Sequence, residues 1–303
     1  MTVVAYLGPA GTFTEEALWR FAEMGCFLGE VSPLPVNSPA EAMDAVRNGE
    51  AEFAVVAIEN SVDGPVTPTF DALAGEGVQI YQETDIEVTF SIMVRPGTKE
   101  IRTFATHPVA RQQVKGWLAE HVPDAEFVAA SSNAAAAQMV AEGRVDAAAA
   151  PRRAADLFGL ERVADEVADV KGARTRFVVV ARPGVPTPPS GADRTAVVFT
   201  LPNKPGTLVG ALTEFALRGV DMSRIESRPT RTGLGTYRFH VDLIGHIDDA
   251  PVAEALRALY LRCEQLTYLG SWPTLETVSH TDTDRLEEAA AWVAAAQKGQ
   301  PRC

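Results

Sequence analysis

Through roughly the first 180 residues, short apolar runs alternate with segments that carry helix start and stop signals. The runs Val3–Leu7, Phe53–Ile58, Val88–Val94, Ile101–Ala105, Phe127–Ala130, Asp146–Ala150 and Arg176–Ala181 are read as strands. The helices between them are marked by their caps. Thr12-Phe13-Thr14-Glu15 reads as a capping box, with the Thr12 hydroxyl on a free backbone N–H and Glu15 reaching back. Ser38-Pro39-Ala40-Glu41 is a second box, with Pro39 at the first helical position, and its helix is expected to stop at Gly49. Ser131-Ser132 precede the alanine-rich helix Asn133–Glu142, which ends at Gly143. Strands alternating with helices of this length predict an α/β domain with largely parallel sheets.

The pattern then breaks. Residues 183–193 hold four prolines and two glycines, which no sheet or helix interior accepts, so they read as a linker closing a first domain over 1–182. A second domain, 194–272, carries strand Thr195–Leu201, helix Gly206–Arg218, strands Val220–Arg228 and Thr236–Ile244, helix Pro251–Tyr260 and strand Cys263–Leu269. The order βαββαβ is the split-βαβ, ferredoxin-like pattern. Gly233-Leu234-Gly235 lies between two of these strands and lacks a third glycine, so it reads as a turn rather than a nucleotide loop. Residues 273–303 form a tail, charged and then alanine-rich, with helical character toward its end.

Composition narrows the function. The 303 residues are 46% hydrophobic, enough to bury a core, and carry a formal net charge of -13. That charge argues against nucleic-acid or anionic-membrane partners, yet it leaves room for a small anion held locally by backbone N–H groups or one arginine. The three cysteines, Cys26, Cys263 and Cys303, are scattered and form no CxxC pair, which fits a reducing compartment and offers no thiolate metal site. The five histidines stand singly, so no histidine metal site is expected. The chain opens into an apolar run with no basic leader, so a cytoplasmic location is expected.

The candidate chemistry sits where strands end, as ligand sites do in open α/β sheets. Gly8-Pro9-Ala10-Gly11-Thr12 follows the first strand and enters a capped helix, as an anion cradle or as an ordinary turn. Glu59-Asn60-Ser61 follows the second apolar run, Thr106-His107-Pro108 closes another with Gln113 in the next helix, and Thr175-Arg176-Phe177 opens a third.

Taken in order, these segments resemble the prephenate dehydratase family. Ala5–Ala17, Ile58-Glu59-Asn60-Ser61-Val62-Asp63-Gly64, Thr106-His107-Pro108 with Gln113, and Thr175-Arg176-Phe177 are similar to its catalytic blocks. Gly206-Thr207-Leu208-Val209 and Glu226-Ser227-Arg228-Pro229 are similar to the two motifs of its ACT regulatory domain. The family usually has serine at Thr106, often asparagine at Ala173, and alanine at Thr207. The resemblance implies two α/β lobes of the periplasmic-binding-protein type joined to an ACT domain. It implies decarboxylative dehydration of prephenate to phenylpyruvate, with neither metal nor organic cofactor. Thr175, Asn60, Thr106 and Gln113 are then the catalytic candidates, and Gly11, Thr12, Ser61 and Arg176 the substrate-binding ones. L-phenylalanine is the implied effector, bound at Asn203, Gly206, Thr207, Leu208, Val209, Glu226, Ser227, Arg228 and Pro229. ACT domains pair side by side, so a homo-oligomer, dimer or tetramer, is expected.

Two points stay open in the residues alone. If Thr175 faces a cleft, strand alternation turns Arg176 away to brace the site rather than bind substrate. Glu59 is repulsive to a dianion and takes no catalytic role. Arogenate dehydration, or a cytosolic solute sensor without catalysis, are the competing functions.

Overall fold

In the computed structural model, residues 1–231, 235–274 and 283–299 are described; the turn at Gly233-Leu234 and part of the tail lie outside them. The chain divides into two units, Met1–Pro188 with Thr267–Pro273, and Pro189–Leu266 with Thr274–Cys303.

The first unit holds two sheets. In chain order, its first lobe contains β1 (Thr2–Leu7), α1 (Phe13–Glu23), β2 (Val31–Val36), α2 (Pro39–Asn48), β3 (Phe53–Asn60), the short β4 (Gly64–Pro65), α3 (Thr67–Leu73) and β5 (Gln79–Glu87). The second lobe contains β6 (Ser91–Val94), β7 (Thr103–Thr106), α4 (Pro108–Gln113), α5 (Lys115–His121), β8 (Glu126–Ala129), α6 (Asn133–Ala141), β9 (Ala147–Ala150), α7 (Arg152–Phe158) and β10 (Glu161–Ala164). The chain then returns to the first sheet as β11 (Arg174–Ala181). The sheet orders are β2-β1-β3-β11-β5, with β4 on β3, and β10-β6-β9-β7-β8. Two crossovers between two α/β lobes make the arrangement expected of a periplasmic-binding-protein-like domain.

β1, β2 and β3 are parallel, but β11 runs antiparallel between β3 and β5, and β6 is antiparallel to both β9 and β10. The sheets are therefore mixed rather than largely parallel. The predicted strand Val88–Val94 splits, because the chain crosses between lobes there and only Ser91–Val94 pairs. At this crossover the Val88 N–H donates to Ala173 O, and the Val167 N–H to Phe90 O, so outgoing and returning segments are tied together.

The caps act as read, with one change. Thr12 Oγ1 accepts the Glu15 N–H at 3.3 Å, Ser38 Oγ the Glu41 N–H at 3.1 Å and Ser132 Oγ the Ala135 N–H at 3.0 Å. Glu15, however, reaches past its own cap to the Gly11 N–H at 2.6 Å. Gly49 ends α2 in the left-handed region at φ 79°. Small residues set the packing of the second lobe. Ala136 and Ala137 of α6 pack in one cluster with Ala148 and Ala150 of β9, which lets helix and sheet approach closely, while Ala147 and Ala149 are buried in the cluster on the other face of the strand.

The second unit contains β12 (Asp193–Thr200), α8 (Thr207–Ala216), β13 (Met222–Pro229), β14 (Tyr237–Ile244), α9 (Ala250–Tyr260) and α10 (Thr283–Gln297); β15 (Gln265–Pro273), between α9 and α10 in the chain, starts in this unit and runs on into the segment Thr267–Pro273 of the first. With β13 antiparallel to β14 and β14 to β12, the order is the expected βαββαβ. No helix among the described residues is long and apolar enough to cross a membrane.

Candidate active site

The first unit carries two adjoining cavities at strand ends. The smaller, about 140 Å³, is lined by Phe13, Asn60, Asp63, Val88, Phe90, His107, Val109, Ala110, Gln113, Asn133 and Thr175. The larger, about 600 Å³, shares Phe13, His107 and Asn133 with it and continues over Gly8, Pro9, Thr12, Thr14, Asn37, Ser131, Ser132 and Pro151. Both lobes contribute to each.

Thr175 and Asn60 meet because β11 and β3 are neighbours in register, with Thr175 opposite Asn60. The Asn60 Nδ2 donates to Thr175 Oγ1 at 2.8 Å. Its Oδ1 accepts the N–H groups of Val62 and Asp63 at 2.8 and 3.0 Å, which folds the loop after β3 back toward the site. Gln113, at the end of α4, donates from Nε2 to Asp63 Oδ2 at 2.7 Å, so a first-lobe loop meets a second-lobe helix. Thr175 and Gln113 are both buried.

Thr106 lies one layer deeper. It is fully buried, and its hydroxyl faces Asn133 Oδ1 at 3.1 Å and Ala149 O at 2.9 Å. Asn133 Oδ1 also accepts the His107 N–H at 3.1 Å, which leaves the Nδ2 end of Asn133 for the cavity. Thr106 therefore touches neither cavity directly and meets the lining residue Asn133 instead. His107 Nδ1 accepts the Val109 N–H at 3.3 Å, which puts the ring proton of the neutral imidazole on Nε2.

Three expected substrate contacts are placed differently. Arg176 faces away from Thr175, as strand alternation allows, and bonds Glu59 at 2.9 Å and Glu83 at 3.2 Å. Glu83 also accepts the Trp272 Nε1–H at 2.9 Å. Arg176 is thus held inside a carboxylate network. The Gly11 N–H is committed to Glu15, whose Oε2 also receives Arg153 Nε at 3.2 Å from the second lobe. Gly11 itself, at φ +86°, stands where a Cβ would touch Ala154 and Ala134 at 3.4–3.5 Å, so it serves close lobe packing. Ser61 is exposed, and its Oγ accepts the Arg174 N–H at 2.9 Å. Thr12 lines the larger cavity while donating to Leu7 O at 3.1 Å.

Asp63, His107 and Asn133 were not singled out as site residues from the sequence. Asp63 and His107 lie within motifs already noted, but their approach to Gln113 and Thr175 depends on folding one lobe against the other. Among the described residues neither cavity is lined by Arg or Lys, and no group of three His, Cys, Asp or Glu stands together as a metal site. Helices α1 and α6 begin at the larger cavity, which their caps Thr12 and Ser132 line, and the first turn of α1 carries Glu15 and Glu16. Beside it, burial and the nearby Glu15 carboxylate push the Tyr6 hydroxyl up to about 12.

In the second unit, Gly206 caps α8 in the left-handed region at φ 83°. The Thr207 hydroxyl is bonded to Pro202 O at 2.9 Å and Lys204 O at 3.0 Å, which holds the loop entering α8. Asn203 lies against Gly235, where a Cβ would meet its Nδ2 at 2.7 Å. Glu226 and Arg228 share one face of β13, and Ser227 and Pro229 the other. Leu208 and Val209 follow Thr207 in the first turn of α8, with Val209 exposed.

The family model described as prephenate dehydratase matches residues 4–184, and the ACT domain model matches residues 195–259. A prephenate dehydratase from Corynebacterium glutamicum is 62% identical over 307 residues, covering 99% of this chain and 98% of the relative. A crystal structure of a prephenate dehydratase from Arthrobacter aurescens, in complex with L-Phe, superposes with a TM-score of 0.87 at 38% identity, covering 98% of this chain and 99% of that one. A structure described as a novel type of quorum-quenching acylase superposes with a TM-score of 0.80 at 34% identity, covering 90% of this chain and 98% of that one.

Proposed function

The chain belongs to the prephenate dehydratase family, hydro-lyases that act on prephenate, and we propose that Thr175, held by Asn60, is the hydrogen-bond donor at the departing hydroxyl. In this reaction the ring carboxylate leaves as CO2, its bonding electrons enter the ring, and the C4 hydroxyl leaves with a proton as water. Aromatisation supplies the driving force. The observation that carries the proposal is the 2.8 Å bond from Asn60 Nδ2 to Thr175 Oγ1 at the wall of the smaller cavity. With a lone pair engaged by an amide N–H, the hydroxyl is polarised to donate its own proton outward. Help of this kind contributes on the order of 10²–10⁴-fold, about 3–5 kcal/mol.

Gln113 and Asn133 line the same space with neutral amide donors, which orient a dianion without adding charge. We assign the side-chain carboxylate of the substrate to the side of the larger cavity, where α1 and α6 begin. The ring carboxylate then lies against the apolar wall of Phe13, Val88 and Phe90, an environment that favours loss of CO2 over retention of charge.

The acylase relative raises a second chemistry, hydrolysis through a hydroxyl nucleophile. Such a hydroxyl hands its proton to a base. Thr175 instead accepts from an amide and, among the described residues, bonds no base, so dehydration is the better reading.

L-phenylalanine, bound by the structural relative, is the effector we assign to the second unit, at the turn of Asn203 and Gly206 and the facing residues of β13. Pairing of two such domains, with β13 at an open sheet edge, makes the working form a homo-oligomer. A cytoplasmic location belongs to the same proposal, since the chain's work is biosynthetic. The test is turnover of prephenate to phenylpyruvate with and without phenylalanine. Turnover that phenylalanine suppresses supports the whole reading. Turnover indifferent to a full phenylalanine titration removes the effector, and no turnover with prephenate removes the function.

A further inference from the structure

Asp63 stands out in this site because its charge has the wrong sign. It is a carboxylate on the wall of a cavity that receives a dianion, where, among the described residues, no Arg or Lys lines the space to offset it. Coulomb repulsion at this range opposes binding, so what Asp63 contributes must be sought in its partners.

Those partners are the groups assigned to catalysis. The Asp63 N–H is bound by Asn60 Oδ1 at 3.0 Å, and Asn60 Nδ2 binds Thr175 at 2.8 Å. Asp63 Oδ2 in turn receives Gln113 Nε2 at 2.7 Å. One polar chain therefore runs from β11 through β3 and its loop to α4, joining Thr175, Asn60, Asp63 and Gln113 across both lobes. Gly64, at φ +81°, lets the loop turn directly after Asp63.

We propose that Asp63 is a positioning residue for the dehydration, setting which end of the Gln113 amide faces the substrate. This rests on the reading of the cavity as a prephenate site. A glutamine amide can present oxygen or NH2 to its surroundings. An ionised carboxylate accepts only, so it draws Nε2 to itself and leaves the second N–H and Oε1 in one defined arrangement. Gln113 is 7% exposed, so its packed surroundings hold that orientation once it is chosen. Asparagine at position 63 offers both kinds of atom and fixes the amide less well, and alanine fixes it not at all. The repulsion toward the dianion is the accompanying cost.

The test is steady-state kinetics with prephenate on the full chain and on D63A, D63N, Q113A and the D63A/Q113A double variant. For D63A the expected result is a kcat lower by about 10-fold or more, with a smaller change in KM, since orientation of a reacting group is lost. D63N is expected to recover a large part of that loss. The double variant is expected to be no slower than Q113A, because both changes remove one interaction. Melting of D63A is expected within about 3 °C of wild type, since exposed positions contribute little stability. The proposal is overturned by D63A with wild-type kcat, by D63N no better than D63A, by losses that multiply in the double variant, or by a kcat loss that merely tracks a fall in melting temperature. A wild-type chain inert toward prephenate would overturn the assigned function and this role with it.

Discussion

Asn60 uses both ends of one amide, the nitrogen on the Thr175 hydroxyl and the oxygen on the loop that carries Asp63. Replacing Thr175 by alanine removes the proposed donor together with the γ-methyl, and kcat is expected to fall about 10²-fold or more; Thr175→Ser removes only the methyl and should stay within about 10-fold of wild type. Equal losses in both variants, by stopped or continuous assay, would mean that the methyl rather than the hydroxyl matters. Gly11 makes a separate prediction. Its positive φ and its contact with Ala154 and Ala134 make Gly11→Ala cost about 1–2 kcal/mol, read as a lower midpoint in thermal unfolding. An unchanged midpoint would show that this approach of the lobes is loose.

At the scale of elements, Asp146 joins two strands of the second sheet. Its Oδ2 accepts the N–H groups of Arg102 and Thr103 and the Thr103 hydroxyl, each at 2.9 Å, at the entry to β7 and β9. Burial alone would raise its carboxyl, but these donors outweigh it and hold the group below the usual aspartate range. A depressed folded-state value means that the stabilisation is present above the unfolded value of about 3.9 and is lost as pH falls through the folded one. Asp146→Asn is thus expected to lower the melting midpoint at pH 7, and the gap to wild type to close below about pH 4. A gap independent of pH would show that the charge contributes nothing. Much at this scale was readable: the caps at Thr12, Ser38 and Ser132 lie where the helices start. β2 was not, since Val-Ser-Pro-Leu-Pro-Val looks like a breaker and survives only as an edge strand beside β1. β5 was missed because Gln79–Glu87 is polar, and its buried Glu83 is accounted for by Arg176 and Trp272, partners that only the fold supplies. In the site, Asn60, Gln113 and Thr175 were legible as motif residues. Asp63, His107 and Asn133 were not, because no local pattern shows that residues from two lobes will close on one cavity.

At the scale of the molecule, a catalytic unit and a unit with ferredoxin-like order are carried on one chain, and coupling between them requires phenylalanine to bind one state better than another. Gly206→Ala, at φ 83°, should strain the effector turn, raising the phenylalanine needed for half inhibition several-fold while leaving kcat without phenylalanine near wild type. Unaltered inhibition would move the effector site elsewhere. The central claim, that Thr175 on its Asn60 support drives dehydration of prephenate, is tested most directly by one experiment. The purified chain is mixed with prephenate at neutral pH and phenylpyruvate absorbance is followed, beside Thr175→Ala. Rapid turnover in the wild type with a loss of about 10²-fold or more in the variant is the predicted result. Equal turnover in both, or none in the wild type, would contradict it.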